Sequence, residues 1–169
     1  MLRAGDTAPD FELPDQGGRP VRLSRLLQKG PVVLYFYPRD ESPGCTKEAC
    51  AFRDSYEAFM SAGAQVVGVS SDSVESHARF AQRHRLPFTL LSDEGGRVRA
   101  LYRVPKSFGL LPGRVTFIID RGGTIRHVFS SQLRYSRHVQ EALRILQALK
   151  AEEQGGLSTT QAGSALRPR

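Results

Sequence analysis

Apolar and polar positions follow two rhythms along this chain. Val32–Tyr37 (VVLYFY) is an unbroken β-branched and aromatic run, the pattern of a strand buried on both faces. Val66–Val69 (VVGV) and Val115–Asp120 (VTFIID) repeat it. Elsewhere the apolar spacing is helical. Ala49, Phe52, Tyr56, Phe59 and Met60 predict a helix from Cys45 to about Ser61. Phe80 and Ala81 lie on one face of a second, from Val74 to about His84. Val139, Leu143, Leu146 and Leu149 form the stripe of a third, from His138 to about Lys150. Phe88–Leu91 reads as a short strand and Arg97–Tyr102 as a short helix. Phe11–Leu13 and Val21–Leu23 flank a turn at Asp15-Gln-Gly-Gly and form an N-terminal β-hairpin. Arg121-Gly-Gly turns Val115–Asp120 back into Thr124–Phe129, which makes the sheet mixed. Strands alternating with helices predict an α/β sandwich: a mixed central sheet flanked by helices. Residues 1–153 form one domain in this reading. Residues 154–169 (QGGLSTTQAGSALRPR) lose periodicity and are expected to be a disordered tail.

Composition narrows the function classes. At 169 residues and 40% hydrophobic content, the chain suits one globular domain with a sizeable core. Two cysteines exclude a disulfide-dense secreted scaffold and a four-cysteine zinc cluster. The longest apolar run, Pro31–Tyr37, is far below the ~20 residues that span a bilayer, and MLRAGDTAPDF lacks the apolar core of a signal peptide. The expected setting is bacterial cytoplasm, or an organelle after removal of a transit peptide. The net charge of +7 is uneven. Residues 1–94 carry 11 Lys and Arg against 13 Asp and Glu; residues 95–150 carry 11 against 2. A basic half can attract anionic partners or nucleic acid. No aromatic-basic motif accompanies it, so it reads as a solvated arginine-rich surface without a specific nucleic-acid partner.

The chemistry concentrates in Tyr37-Pro-Arg-Asp-Glu-Ser-Pro-Gly-Cys-Thr-Lys-Glu-Ala-Cys50. A buried strand ends at Tyr37, a polar loop follows, and Cys45 opens a helix. Loops at the carboxyl ends of strands are where α/β folds place ligands, and the positive end of a helix favours a thiolate. Cys50 lies five residues on, about 8.7 Å away between Cα atoms of an ideal helix. A disulfide needs about 7 Å or less. Either the thiols never pair or the first helical turns unwind when they do. Other readings stand beside this one. A metal site lacks ligands, because His77, His84, His127 and His138 have no metal-type spacing with the cysteines. Two unrelated buried thiols are an ordinary feature of such chains. A thioredoxin-type disulfide exchanger would carry C-x-x-C, which is absent.

This stretch resembles the peroxiredoxins, most closely their bacterioferritin comigratory protein, or PrxQ, branch. The family pattern P-x-x-x-[T/S]-x-x-C falls on Pro38, Ser42 and Cys45, and the branch's P-G-C-T-x-E-x-C run falls on Pro43 to Cys50. Phe52-Arg53-Asp54, GVSSDS (68–73), FTLLSD (88–93) and RVTFIID (114–120) extend the likeness over roughly residues 3–150. The resemblance implies a thioredoxin-like fold and a thiol peroxidase for hydrogen peroxide and organic hydroperoxides, with no metal, haem or flavin. It implies Cys45 as peroxidatic and Cys50 as resolving cysteine, joined in an intramolecular disulfide that thioredoxin or a similar dithiol reduces. It places Ser42 on the incoming peroxide, Arg114 beside the thiol, Glu48 orienting Arg114, and Pro38 over the sulfur. Three of these have a plainer reading: Ser42 as a helix cap, Glu48 as a favourable first-turn acid, Pro38 as a strand end; the placement of Arg114 rests on the family match. Monomer is the default of the branch. A dimer through the apolar segment Phe108–Leu111 is the alternative, and Ser107-Phe-Gly-Leu-Leu-Pro-Gly113 is the chain's departure from the family approach to the arginine. Two other functions compete: a general disulfide oxidoreductase, and a redox-sensing or nucleic-acid-binding module built on the basic half.

Overall fold

In a computed structural model, residues 1–107 and 111–163 are described. The strands are β1 (Glu12–Pro14), β2 (Pro20–Arg22), β3 (Val32–Phe36), β4 (Gln65–Ser70), β5 (Thr89–Ser92), β6 (Lys106–Ser107), β7 (Leu111–Pro112), β8 (Val115–Ile119) and β9 (Ile125–Ser130). The helices are α1 (Leu23–Leu27), α2 (Pro43–Asp54), α3 (Tyr56–Ser61), α4 (Val74–His84), α5 (Arg97–Leu101) and α6 (Tyr135–Gly163).

Five strands form the central sheet in the order β5-β4-β3-β8-β9. β3 runs parallel to β4 and antiparallel to β8, so the sheet is mixed as its sequence predicts. β3 is buried at all five positions because both faces are covered. Its period of two sorts them: Val33 and Tyr35 join the core under α2, α4 and α6, while Val32, Leu34 and Phe36 join the core under the N-terminal segment and α5. β1 and β2 form the expected hairpin, Leu13 opposite Val21.

Three elements differ from the sequence pattern. Leu23 opens α1 rather than ending a strand, and its side chain is buried. The helix expected from Cys45 to Ser61 is two helices, broken at Ser55, whose φ of −103° and ψ of 9° leave the helical basin. The last helix begins at Tyr135 and continues through Gly163, past the expected end at Lys150. A fork from Arg126 to Glu152, at 2.8 and 3.0 Å, ties that extension to β9. Residues 154–163 of the expected tail thus have helical backbone, and 164–169 lie outside the described residues. Phe108, Gly109 and Leu110 of the proposed dimer segment also lie outside them; Leu111 is exposed in β7.

The consequence for function is the meeting of β3, β8 and α2. The β3–β8 ladder ends at Phe36 opposite Val115. The chain leaving β3 therefore emerges beside Arg114, the residue just before β8, and turns into α2 there.

Candidate active site

Cys45 lies in the first turn of α2, 1% exposed. Pro43 starts that helix where its missing N–H costs nothing. Ser42 is the N-cap: its Oγ accepts from the Cys45 N–H at 3.4 Å and donates to the Arg39 carbonyl at 3.1 Å. The buried face of α2 is Cys45, Glu48, Ala49 and Phe52, so thiol and carboxylate point the same way into the protein. Cys50 is half-buried on the same helix, and both thiols are free. Pro38 is half-buried at the bend between β3 and the Ser42 loop.

Arg114 reaches this face from the residue just before β8. It donates through Nη2 to Cys45 Sγ at 3.4 Å and through Nη1 to Glu48 Oε1 at 2.8 Å. Its Nε donates to the Gln132 carbonyl at 3.2 Å, and its guanidinium lies 4.9 Å from the centroid of the Tyr135 ring. Four directions thus fix the cation. Burial works against its charge, but Glu48 and Cys45 outweigh burial and hold its pKa above the ordinary arginine value.

Glu48 is fully buried. Burial raises its pKa to about 7, against the pull of Arg114. Its second oxygen, Oε2, has no hydrogen-bond partner and faces His138 Nδ1 at 3.6 Å. His138 is neutral in this geometry. Thr116 Oγ1 lies 2.8 Å from Nδ1 and the Ser131 carbonyl 2.8 Å from Nε2, which suits a tautomer protonated at Nε2. Burial lowers its pKa to about 4, opposed by the bond to Ser131 and aided by the charge of Arg114.

The loop before Cys45 has its own anchor. Buried Asp40 lies 2.7 Å from His77 Nδ1 and accepts from Tyr37 Oη at 2.6 Å and Ser76 Oγ at 2.8 Å. Its backbone N–H donates to Asp72 at 2.9 Å.

The structure therefore gathers Cys45, Ser42, Glu48 and Arg114, with Cys50 further along α2 and Pro38 at the loop's start. Sequence reasoning missed Tyr135, His138 and the Asp40–His77 pair. Tyr135 precedes the apolar stripe that marked its helix. His138 was visible only as the start of a predicted helix and as one of four histidines without ligand spacing. Asp40 stands inside the Tyr37–Cys50 motif, but its partner lies 37 residues away.

A mixed sheet that presents a buried thiol at a helix start, beside a clamped arginine, is the thioredoxin-like fold of a thiol peroxidase. The chain belongs to the AhpC/TSA family, whose sequence profile matches residues 4–128. It is 57% identical over 147 residues to the chloroplastic peroxiredoxin Q of Sedum lineare, covering 86% of this chain and 78% of that protein. Among solved structures, peroxidoxin BcpB from Mycobacterium tuberculosis superposes with a TM-score of 0.82 at 46% identity, over 88% of this chain and 98% of that one. Xanthomonas campestris peroxiredoxin Q gives 0.75 at 31% identity, over 83% and 91%. The enzyme reduces peroxide and is itself reduced by a thiol. Among the described residues, no helix is long and apolar enough to cross a membrane.

Proposed function

We propose that Cys45 is the peroxidatic cysteine and Cys50 its resolving partner. The observation that carries this is the contact of Cys45 Sγ with Arg114 Nη2 at 3.4 Å, at the N-terminal turn of a helix. The guanidinium and the helix terminus both favour negative charge at that sulfur. The thiolate attacks one peroxide oxygen: the O–O bond breaks, an S–O bond forms, and sulfur loses two electrons. Arg114 stabilises charge developing on the leaving oxygen, which takes up a proton as water or alcohol. Glu48 holds Arg114 in line, Ser42 supplies a hydroxyl beside the reacting sulfur, and Pro38 limits solvent at the loop's start.

Cys50 then attacks the sulfenic sulfur, an S–S bond forms and water leaves. The helical separation of residues five apart requires the first turns of α2 to open for this step. A dithiol reduces the product by exchange, and thioredoxin is the reductant we assign. Because both thiols belong to one helix, a monomer completes the cycle. The setting we assign is thiol-reducing: bacterial cytoplasm, or an organelle such as that named for the Sedum relative.

The test is peroxide turnover by single variants. Cys45→Ser abolishes it. Cys50→Ser consumes one equivalent per chain and then stops under thioredoxin recycling. Full turnover by Cys45→Ser would overturn the assignment.

A further inference from the structure

Arg99 takes no part in the chemistry above, yet it is held at both ends. Buried Asp93 follows β5 and accepts from the backbone N–H groups of Val98 at 3.1 Å and Arg99 at 2.9 Å. That pair of bonds fixes the Arg99 backbone at the start of α5. The side chain then leaves the helix and lies over the Phe36 ring, 5.6 Å from its centroid. Its Nη1 donates to the Gly113 carbonyl at 2.9 Å and its Nη2 to the Tyr37 carbonyl at 2.8 Å.

Those carbonyls belong to the residues immediately before Arg114 and Pro38. The β3–β8 ladder stops at Phe36 opposite Val115. Past that rung the two chains diverge, one toward Cys45 and the other toward the hairpin of β6 and β7. The Arg99 fork takes the place of a further rung. Gly113 leaves little slack there, because a Cβ would run into the Pro105 carbonyl oxygen. A guanidinium is planar and directs its donors in a fixed fork, which a lysine ammonium does not reproduce.

We propose that Arg99 is a positioning residue for the peroxidase site: by bridging the Tyr37 and Gly113 carbonyls it sets the spacing between the Cys45 loop and Arg114. This rests on the role given to Arg114 under the proposed function. Arg99 acts on peroxide through Arg114 and does not touch the thiol.

The test uses the full chain with Arg99→Gln, Arg114→Lys and the double variant. Two rates are read for Cys45: oxidation by hydrogen peroxide, and alkylation by iodoacetamide followed by peptide mass spectrometry. Iodoacetamide reports thiolate and access but does not require an arginine aligned on a peroxide. Arg99→Gln slows peroxide oxidation about 10- to 100-fold, the scale of a misplaced catalytic group, and changes alkylation by less than about 2-fold. In the Arg114→Lys background the same change adds less than about 2-fold, as expected of groups acting as one unit. Arg99→Lys, which keeps the charge and tests the fork should Arg99→Gln fail to fold, is also slow with peroxide. A slow Arg114→Lys beside a full-rate Arg99→Gln or Arg99→Lys would overturn the inference. So would equal losses by Arg99→Gln in both backgrounds, or a parallel loss of alkylation. A full-rate Arg114→Lys would instead overturn the role of Arg114, and this inference with it.

Discussion

At Glu48, burial and ion pairing pull in opposite directions. The carboxyl is fully enclosed, bonded to Arg114 through one oxygen and facing neutral His138 with the other. Its pKa rises to about 7 and that of His138 falls to about 4. A raised carboxyl pKa means the folded state binds the proton more tightly, so this group's contribution to stability falls as pH rises from about 4.5 to about 7. A depressed histidine pKa acts with the opposite sign, and its contribution rises from about pH 4 to about 6.5. Between about pH 4.5 and 6.5 the two offset each other. Glu48→Gln removes one side. Its stability relative to the parent therefore rises with pH over that window, by at most about 1.4 kcal/mol per pH unit. Denaturant unfolding of both proteins at several pH values checks this, and a flat or falling difference would contradict it. Ser42 carries a separate prediction. Its Oγ caps the Cys45 N–H, so Ser42→Ala lowers stability by about 1 kcal/mol in the same unfolding assay, alongside any effect on peroxide rate. The family motif made Glu48 and Arg114 legible, although they stand 66 residues apart. The unpaired oxygen of Glu48 and the ring of His138 beneath it were not, because they depend on how α6 crosses β8 and β9.

The proposed cycle gives α2 two tasks that conflict. As a helix it holds Cys45 and Glu48 against Arg114; to form the proposed disulfide its first turns must open. Oxidation by one equivalent of peroxide therefore lowers the helical circular-dichroism signal, and reduction restores it. An unchanged spectrum in a fully disulfide-bonded sample would contradict the unwinding step. The start of α2 is also wedged by α6. A Cβ on Gly44 would lie 2.5 Å from Tyr135 Oη and 2.8 Å from Cε1 and Cζ of that ring, and the ring lies beside Arg114. Gly44→Ala must push the Tyr135 ring aside, so in thermal unfolding it falls short of the about 0.5–1 kcal/mol that Ala gains over Gly within a helix, and adding Tyr135→Ala restores that gain. An equal effect of Gly44→Ala with and without the Tyr135 ring would contradict the wedge. Helical spacing revealed α2 and α4 because their buried faces repeat locally. It did not reveal the break at Ser55, which interrupts no apolar pattern. Nor did it show α6 running past Lys150, where the visible tie is the Arg126–Glu152 fork from another strand.

For the whole molecule, the sheet is a device for delivery. β3 sends one chain to the thiol, β8 starts from the arginine, and their antiparallel register brings both to one end. The three strand runs and the turn at Arg121 made this mixed sheet readable, since buried strands write continuous apolar runs. The strand order was not readable from periodicity, because pairing partners are chosen across the core. In the proposed cycle, peroxide chemistry begins at Cys45 and ends in a bond to Cys50 within one chain. Intact and peptide mass spectrometry after one equivalent of hydrogen peroxide, with a parallel time course of peroxide loss, is the test of this cycle. Rapid peroxide loss, with a decrease of about two hydrogen masses mapped to a Cys45–Cys50 disulfide in monomeric chains, is the predicted result, as thiol oxidation to a disulfide requires. Slow peroxide loss with both thiols still open to alkylation would overturn that cycle.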